Sequence, residues 1–195
     1  MVALAPIVAT VAAAAGIAII ATLVVTIRTD RRLWPPGDQP WKARFHWGLV
    51  AIFDLGLSFV AIRRWNTWIL PRPGSLVVGL VLSTFGLAVF VHSARDMDPA
   101  ETAGTAAERL YTEGPYARSR HPQYVGMIVG VLGFVALANA ATVAVLGAVF
   151  VTWLLLLPLA EEPFLRERFG DDYDRYRERV PRYLGTESFR RRKSE

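Results

Sequence analysis

Five long apolar runs limit what this chain can fold into. They cover approximately residues 4–27, 45–62, 74–93, 123–138 and 141–160. Each run approaches or exceeds the roughly 18 to 20 residues that a helix needs to cross the core of a bilayer. A soluble fold has no need of five such segments. The sequence therefore predicts an all-α fold, an integral membrane bundle of five transmembrane helices.

The positive charges lie between these runs. The 195 residues include 22 Lys and Arg against 17 Asp and Glu, a formal net charge of +5. Because the positive residues cluster between apolar runs and not along one face, they argue against a nucleic-acid partner. Nineteen of the 22 fall on one side of a five-helix alternation, and only Arg63, Arg64 and Arg72 fall on the other. Short cytoplasmic loops carry the excess of Lys and Arg, so we predict an external N-terminus and a cytoplasmic C-terminus.

The first apolar run lacks the charged start of a secretory signal, and it is longer than the roughly 7 to 15 apolar residues of one. We interpret it as an uncleaved membrane helix.

The chain has 20 arginines and 2 lysines. This ratio is typical of a GC-rich bacterial or archaeal source, which predicts a multi-pass protein of the cytoplasmic membrane.

The remaining polar segments complete a single membrane domain over residues 1–195. Three transmembrane helices occupy 1–93, a long loop, a helical hairpin and a C-terminal helix occupy 94–185, and a basic tail occupies 186–195. The sequence EEPFLRERFGDDYDRYRERVPRYLG has apolar residues at helical spacing, despite Gly170. It predicts an amphipathic helix lying on the cytoplasmic face of the membrane.

Two polar clusters border the last two apolar runs, SRHPQYVG before the fourth and LAEEPFL after the fifth. The runs form a hairpin near Asn139, and helices of 18 and 22 residues rise roughly 27 Å and 33 Å, so both clusters return to a similar depth. The pattern predicts that they share one interfacial cavity. Alternatively, Arg118 and Arg120 are positive anchors, and Glu161 and Glu162 are N-terminal acids of the amphipathic helix, with Pro163 in its first turn.

The motif GPYARSRHPQYVG, followed some forty residues later by EEPFLRERFGDDYDRYRERVPRYL, resembles the isoprenylcysteine carboxyl methyltransferase and phospholipid methyltransferase superfamily of integral membrane enzymes. The resemblance covers approximately residues 108–184. It implies a methyltransferase whose cofactor, S-adenosylmethionine, lies in a cytoplasmic pocket, and whose acceptor is a lipophilic molecule that enters laterally from the membrane lipid.

The resemblance also implies which residues form the site. The cofactor-binding residues would be Leu110, Tyr111, Tyr116, His121, Pro122, Gln123, Tyr124, Glu161 and Glu162. From the chemistry of methyl transfer we further suggest Arg120 and Glu161 as the catalytic residues, with Arg120 orienting a carboxylate of the acceptor or the cofactor and Glu161 fixing the cofactor. Methyl transfer by in-line attack on a sulfonium needs no metal, and three histidines without a cysteine do not indicate a zinc site.

The sequence departs from the family pattern at Leu157, where eukaryotic carboxyl methyltransferases have an arginine that helps to bind prenylcysteine. The head group of the acceptor is therefore left open among a carboxylate, a thiol and a lipid amine. Asp54, in the middle of the second run, is either functional, or neutral or bonded across the bundle near Gly56. Two other classes of protein stay open, an NADPH-dependent membrane reductase of related architecture and a non-catalytic membrane scaffold.

Overall fold

Seven α-helices and no strand make up the part of the chain that the computed structural model describes, which is residues 4–37, 39–68, 70–104 and 106–185. The predicted basic tail, 186–195, lies outside these residues. The helices are α1 (Leu4–Arg28), α2 (Pro40–Arg63), α3 (Gly74–Ala94), α4 (Pro99–Thr102), α5 (Pro122–Ala138), α6 (Ala141–Phe169) and α7 (Asp171–Arg179).

Four of these helices, α1, α2, α3 and α6, are long and apolar enough to span a membrane. The fifth predicted span, α5, is apolar but has only 17 residues. Large apolar side chains such as Leu55, Ile62 and Val81 are exposed on the outer faces of the bundle. Outward-facing apolar side chains of this kind suit a lipid environment, and the protein is a multi-pass membrane protein.

The helices form two packed groups. In one group, α1, α2 and α6 pack around a core that includes Phe53, Val60 and Leu146. In the other, α3 packs along α5. The short connection between α5 and α6 joins the groups, since Asn139 takes a left-handed conformation (φ 47°) at the end of α5 and α6 begins two residues later. The Asn139 amide donates to Asn66 Oδ1 (2.7 Å) and to the Leu70 carbonyl (3.1 Å), which fastens this turn to the loop between α2 and α3.

Glycines bring α3 and α5 into backbone contact. A Cβ at Gly126 would lie 2.7 Å from the Phe90 amide nitrogen, and a Cβ at Gly133 would lie 2.8 Å from the Gly79 carbonyl oxygen. Between membrane helices, where there is little hydrophobic driving force, such small residues allow the close packing that holds the pair together. The α3–α5 pair fixes both ends of the long loop that connects them.

Gly133→Ala is expected to destabilise the protein by about 1–3 kcal/mol, because the added methyl group meets backbone that cannot move aside. Thermal unfolding in detergent measures the change. Gly130→Ala is the matched control, since a Cβ at Gly130 meets no atom within 4 Å. Equal unfolding temperatures for the two variants would show that the α3–α5 contact is looser than described.

The C-terminal segment differs from the single amphipathic helix that the sequence predicts. α6 continues through Pro158 and Pro163 as far as Phe169, so Glu161 and Glu162 lie inside a helix of 29 residues. Gly170, with φ 52°, ends α6, and α7 follows as a separate helix of nine residues. A positive φ is readily adopted by glycine, and this conformation cannot continue a helix. The alternative in which Glu161 and Glu162 begin a helix is therefore wrong.

Candidate active site at the polar end of the helical hairpin

A buried ion-pair cluster centred on Glu162 connects α6 to the start of α5. Arg120 Nη2 donates to Glu162 Oε1 at 3.0 Å, and both side chains are less than a tenth exposed. Arg182 binds the same carboxylate in a bidentate manner, with Nε to Oε1 and Nη2 to Oε2, each at 2.8 Å. Two guanidinium groups therefore pair with one carboxylate, and these charge-assisted hydrogen bonds offset the cost of burying it.

The neighbouring Glu161 is bonded from a different direction. Its Oε1 accepts hydrogen bonds from the Trp34 indole Nε1 (3.0 Å) and from the Tyr124 hydroxyl (2.6 Å). Trp34 belongs to the connector after α1 and Tyr124 to the first turn of α5, so this carboxylate joins three elements. Oε2 lies 3.9 Å from His121 Nδ1, and the described residues supply no hydrogen-bond donor to it. This oxygen is left to receive a hydrogen bond from a ligand.

His121 is held by the backbone at the start of α5. Its amide nitrogen lies 3.2 Å from the Arg182 carbonyl, and the preceding Arg120 amide donates to Pro181 at 2.9 Å. The C-terminal segment thus pairs with the residues that lead into α5. The imidazole Nε2 lies 3.3 Å from Glu162 Oε1, but without the alignment of a hydrogen bond. Nε2 therefore has no hydrogen-bond partner among the described residues.

The loop before α5 is organised around Glu101. This carboxylate accepts hydrogen bonds from the Tyr111 hydroxyl (2.6 Å) and from the amides of Asp98 (3.2 Å) and Glu108 (3.0 Å). Burial of the Glu101 carboxyl acts to raise its pKa, but these hydrogen bonds outweigh it and the pKa is lowered. Glu101 is therefore ionised at neutral pH and joins the start of the loop, at Asp98, to its middle part, at Glu108 and Tyr111.

These elements enclose a cavity, hereafter the polar cavity, beside the buried carboxylates. Eight of the ten residues that the sequence predicts for the site line it: Leu110, Tyr111, Tyr116, Arg120, His121, Gln123, Tyr124 and Glu161. The other two do not. Pro122 is the buried first residue of α5, and Glu162 is turned to Arg120 and Arg182.

Sequence reasoning missed several residues that also line the polar cavity, among them Met97, Glu101, Arg109, Phe164, Tyr173 and Tyr176. The spacing of Asp98 and Glu101 carried a signal, since Asp-x-x-Glu forms a capping box on α4.

Burial raises the pKa of the phenols of Tyr116 and Tyr176. Both phenols therefore stay protonated at neutral pH, and the Tyr176 hydroxyl donates to the Tyr116 carbonyl at 2.7 Å.

A second, mainly apolar cleft adjoins the polar cavity and extends toward the middle of the bundle. Met97, Gln123 and Tyr124 line both spaces. The cleft continues between α2 and the α3–α5 pair as a second apolar space, and the two parts meet at Phe90, Met127, Phe150 and Asp54. We call it the apolar cleft. It extends from the polar end of the bundle toward Gly130 and Phe134 of α5.

Trp34→Phe is expected to destabilise the protein by about 1–3 kcal/mol, because it removes the donor to a buried carboxylate. The ring that stacks on His46 at 4.0 Å is largely retained. The change is measured as a lower thermal unfolding temperature in detergent. Trp41→Phe is the control, since Trp41 is 55% exposed. If both variants unfold at the same temperature, the Trp34–Glu161 bond contributes nothing to stability.

The fold and the site define a multi-pass membrane protein with a polar cavity at one end and an apolar cleft beside it. Comparison with known proteins agrees with this class. Residues 75–172 match the phospholipid methyltransferase family. The chain belongs to this family, and with it to the superfamily of isoprenylcysteine and phospholipid methyltransferases.

Curated relatives match over parts of their length. A cobalt-zinc-cadmium resistance protein of Cupriavidus metallidurans is 29% identical over 71% of this chain and 61% of its own. The protein-S-isoprenylcysteine O-methyltransferase of Schizosaccharomyces pombe is 37% identical over 37% of this chain and 31% of its own. A nickel-cobalt-cadmium resistance protein of Alcaligenes xylosoxydans xylosoxydans is 30% identical over 42% of this chain and 38% of its own. This chain therefore spans less than two thirds of each relative, and no solved structure matches it significantly.

Proposed function

We propose that this protein is an S-adenosylmethionine-dependent methyltransferase that acts on a lipophilic acceptor at the cytoplasmic face of the membrane. The observation that carries the proposal is the meeting of the polar cavity, beside Glu161, with the apolar cleft at Tyr124 and Gln123. Transfer between a polar cofactor and a lipophilic molecule needs such a junction. The isoprenylcysteine methyltransferase relative and the family support this reaction class.

The chemistry of the polar cavity suits the proposed cofactor. Glu161 offers an oxygen without a donor, which fits an ammonium or a ribose hydroxyl. The phenols of Tyr111 and Tyr116 and the amide of Gln123 add polar groups around it, and Leu110, Phe164 and Leu165 supply apolar walls. Bound there, S-adenosylmethionine would supply an electrophilic methyl group carried on a sulfonium.

The chain's own contribution is alignment and exclusion of water. The Trp34 and Tyr124 bonds fix the Glu161 carboxylate against rotation. Arg120 lines the polar cavity, but Nη1 donates to the carbonyls of Arg177 and Val180 and Nη2 to Glu162. Only its Nε lacks a hydrogen-bond partner among the described residues. We therefore propose that Arg120 acts on a bound carboxylate mainly through its charge.

The acceptor would occupy the apolar cleft. Leu157, at the position where eukaryotic carboxyl methyltransferases have an arginine, is buried and lines the cleft among Trp153 and Leu154. An uncharged wall at this point favours a hydrocarbon portion of the acceptor there.

The described residues hold no group of three or more His, Cys, Asp or Glu that could bind a metal. Our proposal uses none.

We also propose a membrane topology. α5 is about 25 Å long at 1.5 Å per residue, with a polar loop before it and the Asn139 turn after it. We therefore propose that it crosses the membrane as a fifth span. With five spans, the distribution of Lys and Arg supports an external N-terminus and a polar cavity on the cytoplasmic side, and the proposed location is the cytoplasmic membrane. In α7, Tyr173 and Tyr176 are buried against the site while the charged residues face outward.

Calorimetric titration of the detergent-purified protein with S-adenosylhomocysteine, and separately with NADPH, tests the proposal. We expect saturable binding of S-adenosylhomocysteine that His121→Ala weakens. Binding of NADPH alone would favour a reductase. If folded protein binds neither, the methyltransferase assignment fails and a scaffold becomes the better interpretation.

A further inference from the structure

Asp54 is a carboxyl group placed deep in the apolar cleft. It lies within α2, fourteen residues after the first residue of that helix, and its side chain lines the cleft. Among the described residues, the structure gives this carboxyl no hydrogen-bond or ion-pair partner. A carboxyl group at membrane depth is costly and usually marks a functional site. The core packing of α1, α2 and α6 does not need this residue, since it faces the cleft.

Two serine hydroxyls lie in the same part of the cleft. Ser58, one helical turn after Asp54, and Ser83 of α3 both line it. The Ser83 Oγ atom is buried and has no hydrogen-bond partner among the described residues. By contrast, the Thr152 hydroxyl, on an exposed face of α6, bonds to the Ala148 carbonyl of its own helix. The cleft is thus lined by polar side chains that have no hydrogen-bond partner among the described residues.

The position of Asp54 relative to the polar cavity follows from α2. His46 and Asp54 are eight residues apart, so they share one helix face at a separation of about 12 Å. His46 stacks on Trp34, which bonds to Glu161. Asp54 therefore lies about 12 Å further along α2 than His46, away from the connector that carries Trp34.

We propose that the methyl acceptor carries a second polar group, a hydroxyl or an amine partway along its apolar body, and that Asp54 accepts its hydrogen bond, with Ser58 and Ser83 beside it. This inference rests on the proposed function. The nucleophile would lie near Tyr124, and the chain would follow Met127 and Phe150 to the carboxyl group. A plain hydrocarbon chain would bury these polar groups unsatisfied, which is unfavourable.

Displacement of a fluorescence quencher tests this. Methyl stearate dibrominated at mid-chain is added to detergent-purified protein, where its bromines quench Trp34, Trp47 and Trp153, which line the cleft. Methyl stearate and its analogue with a mid-chain hydroxyl then compete with it. We expect the hydroxylated ester to displace the quencher at a concentration at least about tenfold lower, the effect of one good hydrogen bond.

Asp54→Leu is expected to abolish this preference, and Asp54→Asn, which keeps an acceptor oxygen, to retain part of it. Thr152→Val, on the exposed face of α6, is the matched control and should leave the preference unchanged. Thermal unfolding is measured on every variant as a check of folding, and S-adenosylhomocysteine binding is measured on the wild-type protein as the separate test of the proposed function. Equal displacement by the two esters in the wild-type protein would overturn the inference. If the preference is present but S-adenosylhomocysteine does not bind, the proposed function fails and the ligand of the cleft is not a methyl acceptor.

Discussion

Glu161→Ala is expected to lower the affinity for S-adenosylhomocysteine at least about 100-fold, the equivalent of about 2.7 kcal/mol. The substitution removes the carboxylate oxygen that is open to a ligand. It also releases the Trp34 indole and the Tyr124 hydroxyl, which hold the connector and α5 in place around the polar cavity. Loss of a direct contact and loss of preorganisation act in the same direction. Calorimetric titration measures the result.

Glu161→Gln separates these two contributions. The amide oxygen can still accept from Trp34 or Tyr124, so the cavity keeps much of its shape while the negative charge is lost. We expect affinity between those of the wild type and the alanine variant, with an unfolding temperature close to the wild type. If Glu161→Ala binds S-adenosylhomocysteine as tightly as the wild type, Glu161 does not hold the cofactor.

Glu162→Gln is expected to destabilise the protein by about 3–5 kcal/mol, the usual cost of leaving one side of a buried ion pair without its partner. Arg120, whose side chain is 8% exposed, and the bidentate Arg182 would both lose the carboxylate that neutralises them. Chemical or thermal unfolding in detergent measures this change. Glu167→Gln on the same helix is the control, because its ion pair with Arg32 is exposed and should contribute at most about 1 kcal/mol.

A double substitution locates the effect within the ion-pair cluster. With Arg182→Gln already present, Glu162→Gln should cost less than it does alone, because the two residues share one interaction. Additive effects of the two substitutions would contradict a direct Arg182–Glu162 pair. The same titration with S-adenosylhomocysteine should show a smaller loss than for Glu161→Ala, since Glu162 does not line the polar cavity.

The helices could be predicted from the sequence because lipid imposes a strict length and polarity on each of them. The predicted runs 74–93 and 123–138 agree with α3 and α5 to within one residue at each end. The end of α6 could not be predicted in this way. Beyond the membrane the apolar pattern stops, and a helix rich in Glu and Arg continues through Pro163 until Gly170 ends it.

The candidate site was predictable where neighbouring residues carried it and not where distant ones did. His121, Gln123 and Tyr124 follow each other at the start of one helix, and the length of the hairpin indicated that Glu161 returns to them. Trp34 gave no such signal, since a tryptophan among basic residues and prolines is typical of an interfacial anchor. Its bond to Glu161 joins residues 127 positions apart, and no local pattern indicates such a pairing.

The two packed groups of helices are connected at one end by the Asn139 turn, which is bonded to Asn66 and Leu70. At the opposite end, two contacts hold the groups together, the hydrogen bond from Tyr124 to Glu161 and the ion pair of Arg120 with Glu162. A hinge motion about the Asn139 turn would displace the residues at that opposite end the most. Loss of these two contacts would therefore widen the apolar cleft and disturb the polar cavity at the same time. Under the proposed function, the entry of the acceptor and the alignment of the reacting groups would then depend on the same contacts.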